Sequence, residues 1–176
     1  PRHRGASPVP AAILDDDDET GVSLIVMDAG IDSGPIVAAI IRRLDGTESA
    51  PELEASLAVD GAALIRETLP RYLAGDLPVV PQDAAAASLT RPLRRSDGRL
   101  DPGRPARLLE RQVRAFRPWP GTLLETDRGR LIVHAASVAA GSAGDEPGRL
   151  LADGDGIALA TAEGRLRLTE VGRAGG

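Results

Sequence analysis

Cysteine, lysine and asparagine are absent from this 176-residue sequence, and histidine and aromatic residues are scarce. Without cysteine the chain has no disulfide and no thiolate for a metal or for nucleophilic catalysis. The two histidines, His3 and His134, are far apart in the sequence, which argues against a histidine-rich metal site. One Phe, one Trp and one Tyr leave a core that Ala, Val, Leu and Ile must fill.

Long apolar runs are missing as well. No stretch approaches the ~18–20 consecutive apolar residues that cross a bilayer. We expect no signal peptide, because the first residues carry no charged stretch followed by an apolar run. We therefore expect no membrane association. With 42% hydrophobic and 27% charged side chains, the chain is long enough for one ordinary domain or two small ones. It opens at Pro1 without a methionine and stops at Gly176, so we expect a fragment of a longer protein.

The charges are unevenly distributed, although the net charge is only −5. Residues 11–60 hold twelve Asp and Glu against two Arg, whereas residues 91–130 hold eleven Arg against five Asp and Glu. Such asymmetry indicates two units with different partners. The arginine-rich segment is either a solvated face or a surface for a polyanion such as nucleic acid. The acidic run at residues 15–18 is interpreted as a solvated turn, because it lacks the spaced ligands of a calcium loop.

The first 77 residues carry the signals of a mixed α/β unit. Ser7 followed by Pro8 predicts a helix that runs to about Leu14. Two short apolar runs, residues 22–27 and 36–41, predict strands, the first of them buried, and the turn-rich segment between them predicts a loop. Leucine and isoleucine at helical spacing from residue 48 to residue 74 predict one or two further helices.

The second half has a different pattern. Residues 78–97 are rich in Pro, Ala and Arg without periodicity, which predicts a linker between domains at residues 1–77 and 98–176. Residues 105–116 return to helical spacing. Short apolar runs follow, separated by hairpin signals such as DGDG at residues 153–156. Together they predict a small all-β barrel behind a leading helix.

Five segments carry a resemblance to a known family. They are PRHRGASP (1–8), ETGV (19–22), MDAGIDSG (27–34), DGRLD (97–101) and RAFRPWPG (114–121). In this order they are similar to the methionyl-tRNA formyltransferases, and the resemblance covers essentially the whole chain. The third segment alone marks only the wider folate-dependent formyltransferase group, but its combination with the fifth is specific. The resemblance implies an α/β fold: the second half of a Rossmann-like formyltransferase domain, followed by a small OB-like β-barrel that binds tRNA.

The sequence also departs from that family. The family's catalytic Asn-x-His would lie just upstream of Pro1, and the last elements of its second domain would follow Gly176. His3 stands where an aromatic residue is usual, Arg91 where Lys is common, and Pro102 where Trp is frequent. The resemblance therefore implies that these 176 residues have little or no activity by themselves.

The activity that the resemblance implies is formyl transfer from 10-formyltetrahydrofolate to the α-amine of initiator methionyl-tRNA, by a cytoplasmic monomer without a metal. Asp32 matches the family's catalytic aspartate, which would order a water, accept a proton and keep the family's histidine charged. We expect Asp32 at the mouth of a parallel sheet, where α/β proteins bind ligands. From the residues alone, a carboxylate that caps a tight loop explains Asp32 too. Asp28 is interpreted as the residue that structures the loop.

Further site residues follow from the same resemblance. Pro1, Gly30 and Gly34 are candidate folate contacts, although glycines in a tight turn need no ligand. Five arginines are candidate tRNA contacts, although solvated arginines would look the same: Arg2, Arg4, Arg111, Arg114 and Arg117. The last three recur every third residue and are expected on one side of their helix or at its exit. Trp119 is interpreted as a packing wedge between domains in preference to a base-stacking platform.

Two other functions stay open. A formyltransferase that acts on a sugar-nucleotide amine would share residues 28–34, although the arginine-rich second half favours the tRNA enzyme. A non-catalytic nucleic-acid-binding module would bind RNA in a salt-dependent way without binding folate.

Overall fold

The computed structural model describes residues 2–127 and 129–173, and it divides between Pro92 and Leu93 into two units. The first unit contains β1 (Arg4–Gly5), α1 (Pro8–Leu14), β2 (Glu19–Ile25), β3 (Ile36–Arg43), α2 (Ala50–Leu73) and β4 (Leu89–Thr90). The second contains α3 (Ala106–Ala115), β5 (Leu123–Thr126), β6 (Gly129–Ala139), β7 (Leu150–Asp153), β8 (Gly156–Ala160) and β9 (Arg165–Arg173). No helix within the described ranges is both long and apolar enough to cross a membrane.

Helix α2 organises the packing of the first unit. It begins at a capping box in which the N–H and the hydroxyl of Ser49 both donate to the Glu52 carboxylate, at 2.9 and 2.6 Å. Leu53, Leu57 and Leu64 recur at helical spacing and are buried where the helix packs on α1, β2 and β3. The predicted helical segment is therefore one helix and not two.

Strands β2 and β3 form an antiparallel hairpin, with Glu19 opposite Arg43. Side chains along β2 alternate between exposed and half-buried positions. The prediction of a buried strand is therefore wrong, because α2 packs on the hairpin while alternate side chains face away from it.

The segment predicted as a linker, residues 78–97, is shared between the two units. Val80 exchanges both backbone hydrogen bonds with Ile36 at the start of β3, each of 2.8 Å. Strand β4 then pairs in parallel with β1, whereas the 3₁₀ turn Arg95–Gly98 belongs to the second unit. Composition suggests a free connection here, but backbone pairing fixes parts of it.

The second unit is built on one antiparallel sheet with the strand order β5-β6-β9-β8-β7. Helix α3 packs on β6 and β9. The unit's main cluster of buried side chains is aliphatic, and Phe116 is buried as well. The cluster consists of Leu100, Ala106, Leu109, Val113, Leu124, Val133, Leu159, Leu166 and Leu168. The DGDG signal lies at the turn between β7 and β8, as predicted. No pairing joins β5 to β7 in the described ranges, so the structure shows a five-stranded sheet, and the closed OB-like barrel stays a prediction.

An ion pair ties the loop between β6 and β7 to strand β9. The Arg165 Nε and Nη2 groups donate to the two carboxylate oxygens of Asp145 at 2.6 and 2.7 Å, and the Ser142 N–H donates to the same carboxylate at 2.8 Å. Hydrogen bonding to Arg165, and then to Ser142, lowers the pKa of Asp145 from 3.8 to about 2.

Because the folded-state pKa of Asp145 is lowered, the pair stabilises the fold above about pH 4 and loses its effect as the pH falls towards about 2. We expect Asp145→Asn to lower the Tm near neutral pH, and the difference from the unsubstituted protein to shrink between about pH 4 and pH 2. Thermal denaturation followed by circular dichroism measures both. A difference in Tm that stays constant over this range would contradict the prediction.

Candidate active site

The loop between β2 and β3 is organised around the carboxylate of Asp28. One of its oxygens accepts the N–H of Gly30 at 3.0 Å, and the Ser33 hydroxyl lies 2.8 and 2.9 Å from its two oxygens. The Val26 N–H donates to the Pro35 carbonyl at 2.9 Å and closes the base of the loop. The interpretation of Asp28 as the residue that structures this loop is confirmed.

Both glycines of the loop have a structural reason to be glycine. A Cβ on Gly34, which is buried, would collide with the backbone carbonyl oxygen of Val26. A Cβ on Gly30 would collide with the Ser33 hydroxyl. Close packing within the loop therefore explains both residues without a ligand. Pro1, the third predicted folate contact, lies outside the described residues.

Asp32 stands at the exposed tip of the loop in the left-handed backbone conformation, with φ of 49°. Asp adopts this conformation more readily than most non-glycine residues. Its Oδ2 accepts the N–H of Gly5, in β1, at 2.8 Å. Asp32 thus lies between two antiparallel strands and contacts the two-residue parallel pair of β1 and β4, and the expected position at the mouth of a larger parallel sheet stays a prediction.

A second group of hydrogen bonds reaches the loop from distant parts of the first unit. The Gln82 side-chain NH₂ donates to the carbonyl oxygens of Asp32 and Gly34 at 2.8 and 2.7 Å. Arg4 Nη2 donates to the Gln82 side-chain oxygen at 3.0 Å. Pairing of Val80 with Ile36 brings Gln82 to this place. No local pattern in the sequence marks Gln82, because it stands in the segment predicted as a linker.

The two N-terminal arginines have acidic or amide partners. The Arg2 guanidinium lies 2.8 Å from the Asp17 carboxylate and 3.5 Å from that of Asp15, and it forms an ion pair with each. Asp17 is largely buried and also lies 2.7 Å from His3 Nε2, which means that the acidic run is not entirely solvated. Arg4 is half-buried and directed at Gln82. Of the two arginines, Arg4 is the one that reaches the loop, through its hydrogen bond to Gln82.

The three arginines around α3 differ in their burial and in their partners. Arg111 is buried, and its Nε lies 3.4 Å from the Arg107 carbonyl. Arg114 forms an ion pair of 2.7 Å with Glu110, one turn earlier. Arg117 follows the end of the helix and is exposed. Because the Arg111 side chain is buried, contact with phosphate at this residue is disfavoured. Arg117 is the most accessible of the three.

Trp119 is 52% exposed, and the Arg95 guanidinium carbon lies 5.8 Å from the centre of its ring. That distance is within the range of a cation–π interaction. The exposed half of the ring leaves room for a stacking partner, and the packing-wedge interpretation stays a prediction.

Metal ligands are not gathered at any of these places. In the ranges that the structure describes, no group of three or more His, Asp or Glu side chains is arranged to hold a metal ion.

Comparison with known families finds two matches along the chain. The formyl transferase model matches residues 1–69, and the model of the formyl transferase C-terminal domain matches residues 92–176. Together they account for most of both units.

Individual relatives agree with these matches. The methionyl-tRNA formyltransferase of Myxococcus xanthus is 44% identical over 97% of this chain and 54% of its own length. That of Halorhodospira halophila is 41% identical over 100% of this chain and 57% of its own length. The chain thus spans about half the length of these curated relatives. Among solved structures, an N-formyltransferase from Helicobacter canadensis in complex with folinic acid and dTDP-3-aminofucose aligns with a TM-score of 0.75 at 14% identity, over 97% of this chain and 62% of that chain; this likeness shows the fold.

The loop geometry predicts different losses of stability for alanine substitutions at the two glycines. Gly34→Ala forces a Cβ against backbone, which cannot move aside, and we expect it to lower the free energy of unfolding by about 1–3 kcal/mol. Gly30→Ala meets chiefly the Ser33 hydroxyl, which can rotate away at the cost of its hydrogen bond to Asp28, so we expect a smaller loss. Urea denaturation of the two variants compares them directly, and an equal or larger loss for Gly30→Ala would contradict this account of the loop.

Proposed function

The chain belongs to the formyl transferase family, and from this premise we propose that it serves formyl transfer from 10-formyltetrahydrofolate to the α-amino group of initiator methionyl-tRNA. The observation that carries the proposal is an exposed carboxylate, Asp32, fixed on a loop whose shape is held from inside by Asp28 and from outside by Gly5 and Gln82.

The acceptor is proposed from the relatives. Two methionyl-tRNA formyltransferases match nearly the whole chain at 44% and 41% identity, whereas the sugar-linked N-formyltransferase structure matches at 14%. An amine on a nucleotide sugar is therefore the second candidate acceptor. Competition by initiator tRNA or by a nucleotide sugar in the same transfer assay discriminates between them.

The chemistry assigns a proton-transfer role to Asp32. The attacking amine must be neutral, and it must lose a proton as its nitrogen bonds to the formyl carbon. When bound, 10-formyltetrahydrofolate supplies that carbon and a nitrogen that leaves with a proton. We assign to Asp32 the acceptance of the amine proton, directly or through an ordered water. The Gly5 N–H uses one of about four acceptor positions of the carboxylate, so capacity remains for this proton.

The surroundings of Asp32 fit a ligand that is part apolar and part polar. Met27 and Ile31, on the same loop, are 89% and 61% exposed and offer apolar surface. We propose that the folate lies against this side of the loop near Gly30. Gly34 is buried and its carbonyl already accepts from Gln82, so its proposed role is to shape the loop.

The second unit supplies the proposed tRNA surface, within the predicted domain at residues 98–176. Its basic character is reduced by ion pairs such as Arg107 with Glu163 and Arg114 with Glu110. Arg117 is exposed at the exit of α3, and it is the residue of the original set that we propose to contact phosphate.

The first experiment replaces Asp32 with Asn, which keeps the shape and tolerates the left-handed backbone but removes the proton acceptor. In the protein at its native length we expect the rate of formyl transfer to fall by about 10²–10⁴-fold. Folate-dependent formylation of initiator methionyl-tRNA, measured at saturating substrates, gives this rate.

The matched control is Asp16→Asn. Asp16 is also an exposed aspartate with a left-handed backbone, φ of 59°, but it stands outside the loop. We expect its rate to stay within about twofold of the unsubstituted protein. Full activity of the Asp32→Asn protein would refute the assigned role.

The second experiment tests Arg117 by charge. The slope of log affinity for tRNA against log salt concentration is negative, because salt weakens phosphate contacts. If Arg117 contacts phosphate, Arg117→Ala should reduce the magnitude of this slope by about 0.7–0.9. Arg107→Ala is the control, because Arg107 is also exposed and lies on α3, which Arg117 follows, but is paired with Glu163. Filter binding across a range of salt concentrations measures both slopes, and equal slopes for the two variants would exclude the Arg117 contact.

A further inference from the structure

Gln82 makes an unusually complete set of contacts with the loop that carries Asp32. Its NH₂ group bridges two carbonyl oxygens, those of Asp32 at 2.8 Å and Gly34 at 2.7 Å. Its own carbonyl oxygen accepts from Arg4 at 3.0 Å. The side-chain donors and the acceptor of one amide are thus all engaged at a half-buried position.

These contacts act on a residue whose backbone conformation needs support. Asp32 is a non-glycine residue with φ of 49°, and such conformations persist only when the surroundings hold them. Loss of the Gln82 bridge would free the Asp32 peptide group, and the carboxylate would lose its fixed approach to the Gly5 N–H. Both Gly5 and Arg4 lie in β1, so the same short strand orients the carboxylate and the amide.

We infer that Gln82 is a positioning residue, which holds the Asp32 carboxylate in place for proton transfer without touching the substrate itself. This inference rests on the proposed function for its kinetic consequence, but its geometric part does not.

The geometric part is tested first, by the amide NMR signal of Gly5. Gln82→Met keeps the length of the side chain and removes both donors, and we expect the Gly5 amide proton to shift because its hydrogen bond to Asp32 weakens. Gln112→Met is the matched control. Gln112 also bridges two carbonyls, those of Asp97 at 2.8 Å and Arg99 at 3.0 Å, but in the second unit. A Gly5 signal that is unchanged in Gln82→Met, or equally shifted in Gln112→Met, would overturn the inference.

The kinetic part is tested by a double-mutant cycle at native length. We expect Gln82→Met to lower kcat about tenfold to a hundredfold with KM changed by less than about twofold, and Gln112→Met to leave both unchanged. Because Gln82 would act through Asp32, the double variant Gln82→Met with Asp32→Asn should be no slower than Asp32→Asn alone. If the rate losses of the two single variants multiplied in the double variant, the inference would be overturned.

The two proposals fail in different ways. Full activity of Asp32→Asn with a shifted Gly5 signal in Gln82→Met would refute the role of Asp32 in formyl transfer and leave the geometric coupling standing. A slow Asp32→Asn protein together with an unperturbed Gln82→Met protein would refute the positioning role of Gln82 and leave the role of Asp32 in formyl transfer standing.

Discussion

The shape of the loop from Met27 to Ser33 depends on hydrogen bonds, because no apolar side chain in these residues is buried. Hydrophobic burial, which fixes α2 and the core of the second unit, has nothing to act on here. Asp28 therefore organises the loop from within, where a charged acceptor makes stronger hydrogen bonds than a neutral one. An exposed tip can present a carboxylate to a substrate only if such internal contacts replace the missing core.

Elements with local signals could be predicted from the sequence. Pro8 after Ser7 fixes the start of α1, and the DGDG segment fixes a hairpin, because each signal lies within a few residues of its effect. The burial of β2 could not be predicted, since an apolar run does not say how many faces are covered.

The candidate site shows the same limit more sharply. Asp28 could be assigned to the loop because its partners, Gly30 and Ser33, are two and five residues away. Gln82 contacts Asp32 across fifty residues, and only the pairing of the intervening strands brings them together. The three-residue spacing of arginines likewise predicted a shared face but not that the helix would turn Arg111 into the interior. Spacing predicts which side chains share one side of a helix, but packing decides which side faces the solvent.

The two bridging glutamines show why Gln82 is better explained by geometry than by stability. Gln112 is 3% exposed, and removing its side chain would leave two part-buried carbonyls without this donor, at a cost in stability. Gln82 is only half-buried, so water could replace much of what it gives to Asp32 and Gly34, and the net stability gained is small. Yet its amide oxygen is held by Arg4, whereas the Gln112 oxygen is buried without a partner among the described residues. Water can satisfy a carbonyl, but it cannot fix the direction of a peptide group, and that direction is what the Asp32 carboxylate requires.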